Sequence, residues 1–353
     1  MENFIRKNLI VIFLVIIAGA VLFLPIYYVN LFGKYFVFAI IAVGIDIIWG
    51  YTGILSLGQG VFFSLGAYCM AMYLKLQTGA LPDFMVWSGF KSVPYFLSLF
   101  AHAWLALPMA IILPMLLAII ISVPIFRSNI KGVYFSILTE ALALVFSLVF
   151  IAQQSYTGGS SGITDFQSLF GHPLGSSGTI RGLFLITVVV LISVYLLIEW
   201  MLSSQLGKIL VAIRDGENRL KFLGYNTVRY KVFIFTLSAG IMGLAGALFV
   251  PQIGIVSPAT FGIFFSIEMV IWVAVGGRGT LIGAIIGAIV VSGIKTFSSG
   301  IFPEGWLYIL GGLFILVTIV FPGGIMGIWM RYKVFEQVNL DKKFLKEIHE
   351  EKK

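Results

Sequence analysis

Leu206–Tyr230 reads LGKILVAIRDGENRLKFLGYNTVRY. Arg214, Asp215, Glu217, Arg219 and Lys221 crowd its middle, with Asn218 among them, and Ile209, Ile213, Leu220 and Leu223 recur at roughly helical intervals. Gly224 and Asn226 then supply a stop. On either side lie apolar runs, Leu183–Leu202 and Val232–Val250, each close to the ~20 residues a helix needs to cross a bilayer. A charged island between two such runs points to an all-α polytopic membrane chain whose polar residues gather in loops. A short amphipathic helix in that place suits docking on a soluble partner; an ordinary solvated loop is the other reading.

Composition agrees. Of 353 residues 59% are hydrophobic and only 11% are charged, whereas a soluble domain needs about 25% charged residues to cover its surface. The formal charge is +8, but the basic residues are scattered among loops and the C-terminal tail. They form no nucleic-acid patch and fit cytoplasmic anchoring instead. Cys69 is the single cysteine, and His102, His172 and His349 lie far apart, so no disulfide, metal site or cofactor is expected. The first apolar run carries a cleavage-like Ala18-Gly19-Ala20 but continues to Val29. That length favours a retained span over a signal peptide.

Apolar runs predict about ten crossings: Leu9–Val29, Tyr35–Trp49, Val61–Leu76, Trp104–Phe126, Val133–Ala152, Leu183–Leu202, Val232–Val250, Ser266–Val275, Leu281–Thr296 and Trp306–Val320. Tyr35–Trp49 is short for a crossing, and Ser266–Val275 is half a membrane thickness. An eight-span version with two re-entrant segments keeps the same sidedness. With both termini cytoplasmic, only Lys34, Lys75, Lys91, Arg181 and Lys295 of the 23 basic residues reach the outer face. The predicted layout is a membrane domain over 1–330, a cytoplasmic loop at 203–231, outer loops at 77–103 and 153–182, and a polar tail at 331–353. The outer loop at 153–182 is rich in Gly, Ser and Thr, and its length hints at function.

Gly53–Leu65, GILSLGQGVFFSL, is echoed by Gly254–Ile267, GIVSPATFGIFFSI. With one inserted residue, Ser56 aligns with Ser257, Gly60 with Gly262 and Phe63 with Phe265. The first lies on the cytoplasmic side and the second on the outer side. Interrupted helices of opposite sense are the signature of an inverted repeat, here relating spans two to five and seven to ten; chance matching in a glycine-rich chain is the competitor.

Small residues at Ala239/Gly243/Ala247 and Gly283/Gly287 read as helix-packing scaffold. Asp46, Glu140 and Glu268 each sit inside an apolar run, where a charge costs about 2.5–3.5 kcal/mol unless partnered or hydrated. Such residues line a pathway or lock neighbouring helices, and Glu268 is the leading pathway candidate. No HExxH, no GxSxG at a helix start and no Walker A pattern is present, so an enzyme is disfavoured and any ATP hydrolysis belongs to another chain.

GYTGILSLGQGVFFSLGAY (Gly50–Tyr68), QQSYTGGSSGIT (Gln153–Thr164), AIRDGENRLKFLGYN (Ala212–Asn226) and SIEMVIWVAVGGRGTLIGA (Ser266–Ala284) carry a resemblance. The chain is similar to permease subunits of the branched-chain amino-acid class of ABC importers, and within that class it most resembles the urea-type permease. The resemblance implies pairing with a homologous permease as a heterodimer, two cytoplasmic ATPase subunits, and an extracytoplasmic binding protein. It makes Arg214, Asp215, Glu217, Asn218, Arg219 and Gly224 the ATPase coupling segment, although the spacing departs slightly from the usual pattern. It turns Gln153, Tyr156, Thr157, Gly158 and Gly159 toward the binding protein. Ser56, Ser257 and the acids Asp46, Glu140 and Glu268 become candidates to accept hydrogen bonds from urea. A zwitterion would want a cation, and no lysine or arginine is placed mid-membrane, which favours the neutral solute. The alternatives are a branched-chain amino-acid or short-amide permease, a stand-alone secondary transporter or channel, and a scaffold without transport.

Overall fold

The computed structural model describes residues 2–327 apart from 80, 303, 304, 321 and 322; the predicted tail at 331–353 lies outside the described residues. In chain order the helices are α1 (Glu2–Leu22), α2 (Ile26–Thr52), α3 (Gln59–Leu76), α4 (Asp83–Trp87), α5 (Tyr95–Ser98), α6 (Ala103–Arg127), α7 (Val133–Ala152), α8 (Gln154–Thr157), α9 (Ser177–Ser203), α10 (Gln205–Phe222), α11 (Thr227–Ile253), α12 (Ile263–Gly276), α13 (Leu281–Ile301) and α14 (Trp306–Val320). Two-residue strands pair antiparallel as Ile163–Thr164 with Ile255–Val256, and as Ser168–Leu169 with His172–Pro173.

Among the described residues, six helices are long and apolar enough to cross a membrane: α2, α6, α7, α9, α11 and α13. The apolar helices Ile263–Gly276 and Trp306–Val317 are shorter. The expected ten crossings are not reached on that measure. α3 is one reason: it is buried along nearly its whole length, so protein rather than lipid surrounds it and its sequence is free to be less apolar.

Several expected boundaries move. The run Leu9–Val29 is not one span, because α1 ends at Leu22 and α2 starts at Ile26. Pro25 stands between them, lacking an N–H and disfavouring helix in the residue before it. The supposedly short second span is a 27-residue helix that carries Lys34 inside it. The long loop after α7 ends at Ser176, whose hydroxyl caps α9 by accepting from the Thr179 N–H at 3.2 Å.

α2 and α11 lie at the centre. α11 packs against α6 and α3, and α2 packs against α13 and α9. Backbones approach closely at glycines: a Cβ on Gly66 would collide with Gly243, and one on Gly287 with the Trp272 carbonyl. These small-residue steps let van der Waals contact hold helices together where hydrophobic drive is absent.

Candidate functional site

Three layers of polar contact run through the bundle. The first is at the α10 end. α10 is two helical pieces, because Gly216 leaves helical geometry at φ −175°, ψ 64°. Just after that break Glu217 turns inward, its carboxylate 2.6 Å from Lys131, 2.6 Å from Lys231 and 3.4 Å from Lys221. The Thr227 hydroxyl donates to it at 3.0 Å. Burial pushes this carboxyl up, but the hydrogen bonds from Lys131 and Lys231, the Lys231 charge and the Thr227 hydroxyl outweigh it and hold the pKa at about 2. A cavity of about 140 Å³ adjoins, lined in part by Gly53, Leu55, Lys131, Glu217 and Lys231.

Just before the break, Arg214 donates from Nη1 to the Gly50 carbonyl at 2.8 Å and from Nε to Asp215 at 2.9 Å. That bond holds the Asp215 carboxyl below its ordinary range. Asp46 accepts the Gly279 N–H at 2.7 Å, and Arg278 stacks over Trp49 at 5.3 Å. Asp46, a predicted pathway residue, thus braces the turn after α12. The outward face of α10 carries Asn218 and Arg219, then Phe222 at 91% and Leu223 at 74% exposure, and Gly224 in a left-handed turn.

The second layer is the two helix breaks. α2 ends at Gly53 (φ 75°) and α11 at Gly254 (φ 78°), both left-handed caps that glycine adopts freely. After the first, Ser56 accepts the Gly58 N–H at 3.4 Å, the Leu57 N–H donates to Thr139 at 3.1 Å, and Ser136 donates to the Leu55 carbonyl at 2.7 Å. After the second, the Thr260 hydroxyl donates to the Ser257 carbonyl at 2.8 Å and accepts from Ser64 at 2.7 Å. Ser147 donates to the Pro258 carbonyl at 3.2 Å. Ser136, Thr139 and Ser147 all belong to α7, so both breaks hang on that helix. Glu140 is half-buried on it. Beside the breaks, the Gln59 amide and the Ser266 hydroxyl are buried without a hydrogen-bond partner among the described residues.

The third layer is further from α10. Glu268, 2% exposed, receives both hydrogen bonds of Lys295, at 2.9 and 2.7 Å. Lys295 sits over Trp306 at 4.3 Å, and Lys34 over Phe38 at 5.7 Å. Lys34 belongs to α2 and Lys295 to α13, both helices long and apolar enough to cross a membrane; Lys295 reaches across to α12 and α14, and Lys34 leans along its own helix. In the loop after α7, Gln153 is exposed and Tyr156 is wedged between Phe90 and Phe96. Thr157, Gly158 and Gly159 are buried in the turn rather than facing outward. Residues 163–164 of this loop pair with 255–256 of the second break.

Sequence reasoning missed Lys131, Lys231, Thr139 and Thr260. The hydroxyls did carry a signal, a Ser136–Thr139–Ser147 stripe at helical spacing in an otherwise apolar run.

Known proteins carry the same arrangement of sequence. LivM, the high-affinity branched-chain amino acid transport system permease protein of Salmonella typhimurium and of Escherichia coli, is 26% identical over 312 residues, covering 82% of this chain and 68% of the relative. LivH of Escherichia coli, named as a permease protein of the same kind of system, is 23% identical over 304 residues, covering 82% and 91%. The fructose import permease protein FrcC of Rhizobium meliloti is 34% identical over 143 residues, 37% of this chain and 39% of that one. No solved structure matches at a significant level. The family model described as the permease component of branched-chain amino acid transport systems matches residues 27–318, and with the greater part of the sequence inside that match, the chain belongs to this permease family.

Proposed function

We propose that the chain is the membrane-spanning permease subunit of an ATP-driven importer, moving a branched-chain amino acid or a similar small zwitterion delivered by an extracytoplasmic binding protein. The neutral-solute reading, urea, loses its support on two counts. The relatives are named for branched-chain amino acids or fructose, and Lys34 and Lys295 belong to α2 and α13, helices long and apolar enough to cross a membrane. ATP hydrolysis belongs to separate subunits, which dock on α10 at the cytoplasmic face.

One observation carries the reading. α10 presents an exposed aromatic and basic face on one side, while on the other Arg214 and Glu217 tie it to the ends of α2 and α11 and to the turn before α7. A lever needs both a handle and a joint. Motion imposed on Phe222 and Leu223 reaches Gly50 and the first break through such contacts, and access to the solute site alternates. An inverted repeat is supported by matching features: α2 and α11 both have 27 residues and end in left-handed glycines. α2 packs on α13 as α11 packs on α6, and α3 on α6 as α12 on α13. A heterodimer is supported by LivM and LivH of one organism both matching over 82% of the chain.

The test is uptake into liposomes holding the chain with its sister permease, ATPases and binding protein. ATP-dependent uptake is expected, with Phe222→Ser/Leu223→Ser lowering it and weakening ATPase retention on the purified complex. Uptake that persists without ATP or ATPase subunits would point to a stand-alone transporter or channel.

A further inference from the structure

We propose that Lys34 is the group that takes the carboxylate of the transported solute. This rests on the importer reading above and names a site within it. Glu268 and Lys295 satisfy each other, with both carboxylate oxygens bound by one ammonium at 2.9 and 2.7 Å. Lys34 is the third charge of this group. It is half-buried and feels the charges of both Lys295 and Glu268. Its neighbour Tyr35 donates to Thr296 at 2.6 Å, which fixes the Lys34 turn of α2 beside the Lys295 turn of α13. Among the described residues its ammonium has no hydrogen bond or ion pair, only the Phe38 ring at 5.7 Å.

The cluster therefore carries one more positive charge than negative, inside helices whose surroundings are apolar. An ammonium so placed is costly unless an anion arrives. At 1.5 Å per residue, Lys34 lies about 27 Å along α2 from its Thr52 end, the end that Arg214 of α10 binds. Lys34 is thus well removed from α10, toward the side from which the solute arrives on the importer reading. A carboxylate seated on Lys34 would neutralise the cluster, and the Glu268–Lys295 pair would keep Lys34 from finding an internal partner. An uncharged solute has nothing to offer this site.

The experiment compares Lys34→Gln and Lys34→Arg in the reconstituted importer, with radiolabelled leucine as solute. Liposomes are of phosphatidylcholine alone or with added phosphatidylglycerol. At equal complex abundance and composition, Lys34→Gln is expected to slow uptake about tenfold or more in both lipids, the loss of one charged hydrogen bond. Lys34→Arg, which keeps the charge, should stay within about threefold of wild type. Lys34→Gln uptake within twofold of wild type overturns the proposal. A deficit confined to phosphatidylglycerol vesicles overturns it in favour of a lipid phosphate, and loss of the sister permease from the Lys34→Gln complex overturns it in favour of a carboxylate on that subunit. Wild-type complex that shows no ATP-driven leucine uptake overturns the importer reading instead.

Discussion

Glu217→Gln removes the charge at the joint of α10 and leaves its shape. The cost follows from the three lysines around it. Lys231 is 7% exposed and Glu217 11%, so this pair is effectively buried, and stripping one partner from a buried pair costs about 3–5 kcal/mol. Lys131 and Lys221 are 43% and 36% exposed, and pairs that wet contribute about 0–1 kcal/mol each. A glutamine can still accept from Thr227, so that bond is kept. The sum is about 3–7 kcal/mol, most of it through Lys231. At about 2 °C per kcal/mol for a chain of this size, the denaturation midpoint in detergent should fall by about 6–14 °C. A double-mutant cycle isolates the cause. Adding Lys231→Met should return at least half of the loss, because a buried pair replaced by apolar groups is close to neutral. Adding Lys221→Met should return almost none. If Lys221→Met rescues as well as Lys231→Met, or neither does, the assignment of the joint to a buried pair is wrong.

Acid should loosen the same joint. Glu217 is held at about 2 against an ordinary value of 4.5, so its stabilisation is complete above about pH 4.5 and is lost as the pH falls from there toward 2; midpoints measured across that window should fall more steeply for wild type than for Glu217→Gln. Gly66→Ala drives a methyl into the Gly243 backbone, whereas Gly293→Ala meets nothing within 4 Å. The first should cost several kcal/mol or prevent assembly, the second less than about 1 kcal/mol, and equal midpoints for the two would show that α3 and α11 do not approach as described.

How much of this the sequence could tell depended on whether the signal was local. α7 was predicted as Val133–Ala152 and is found so, because Gly132 and Gln153 bound a run that is apolar apart from Ser136, Thr139, Glu140 and Ser147. The start of α2 was misplaced because Lys34 looked like a terminus; a helix packed against α13 and α9 tolerates a lysine that lipid would reject. The acids were found as unusual residues, yet their partners were not. Asp46 meets a backbone N–H at Gly279 and Glu268 meets Lys295, and such pairings depend on how each helix is rotated. Helices that are apolar all round carry no amphipathic stripe from which rotation could be read. The echo of Gly53 and Gly254 was legible because a left-handed cap demands a particular residue. The α7 hydroxyls that hold the segment beyond each cap became visible only once the helix was in place.

Those hydroxyls bear on how one lever could work two breaks. Ser136 and Thr139 hold the segment after α2, and Ser147 holds the segment after α11. Ser147 is about 12 Å further along the same helix than Thr139. Had each break been anchored to its own neighbours, a movement at α10 would open one and leave the other untouched. Because both hang on α7, rotation or tilt of that helix must strain both sets of bonds at once. The turn that starts α7 carries Lys131, which is bound to Glu217, so the joint of α10 grips the base of the strut that holds both breaks. The far break in turn is stitched to the long loop after α7 through Ile163 and Val256, giving an unbroken series of bonded contacts from α10 to that loop. On the proposed importer reading, alternation then requires no long-range force, only that Glu217 keep hold of Lys131 while Phe222 and Leu223 are moved.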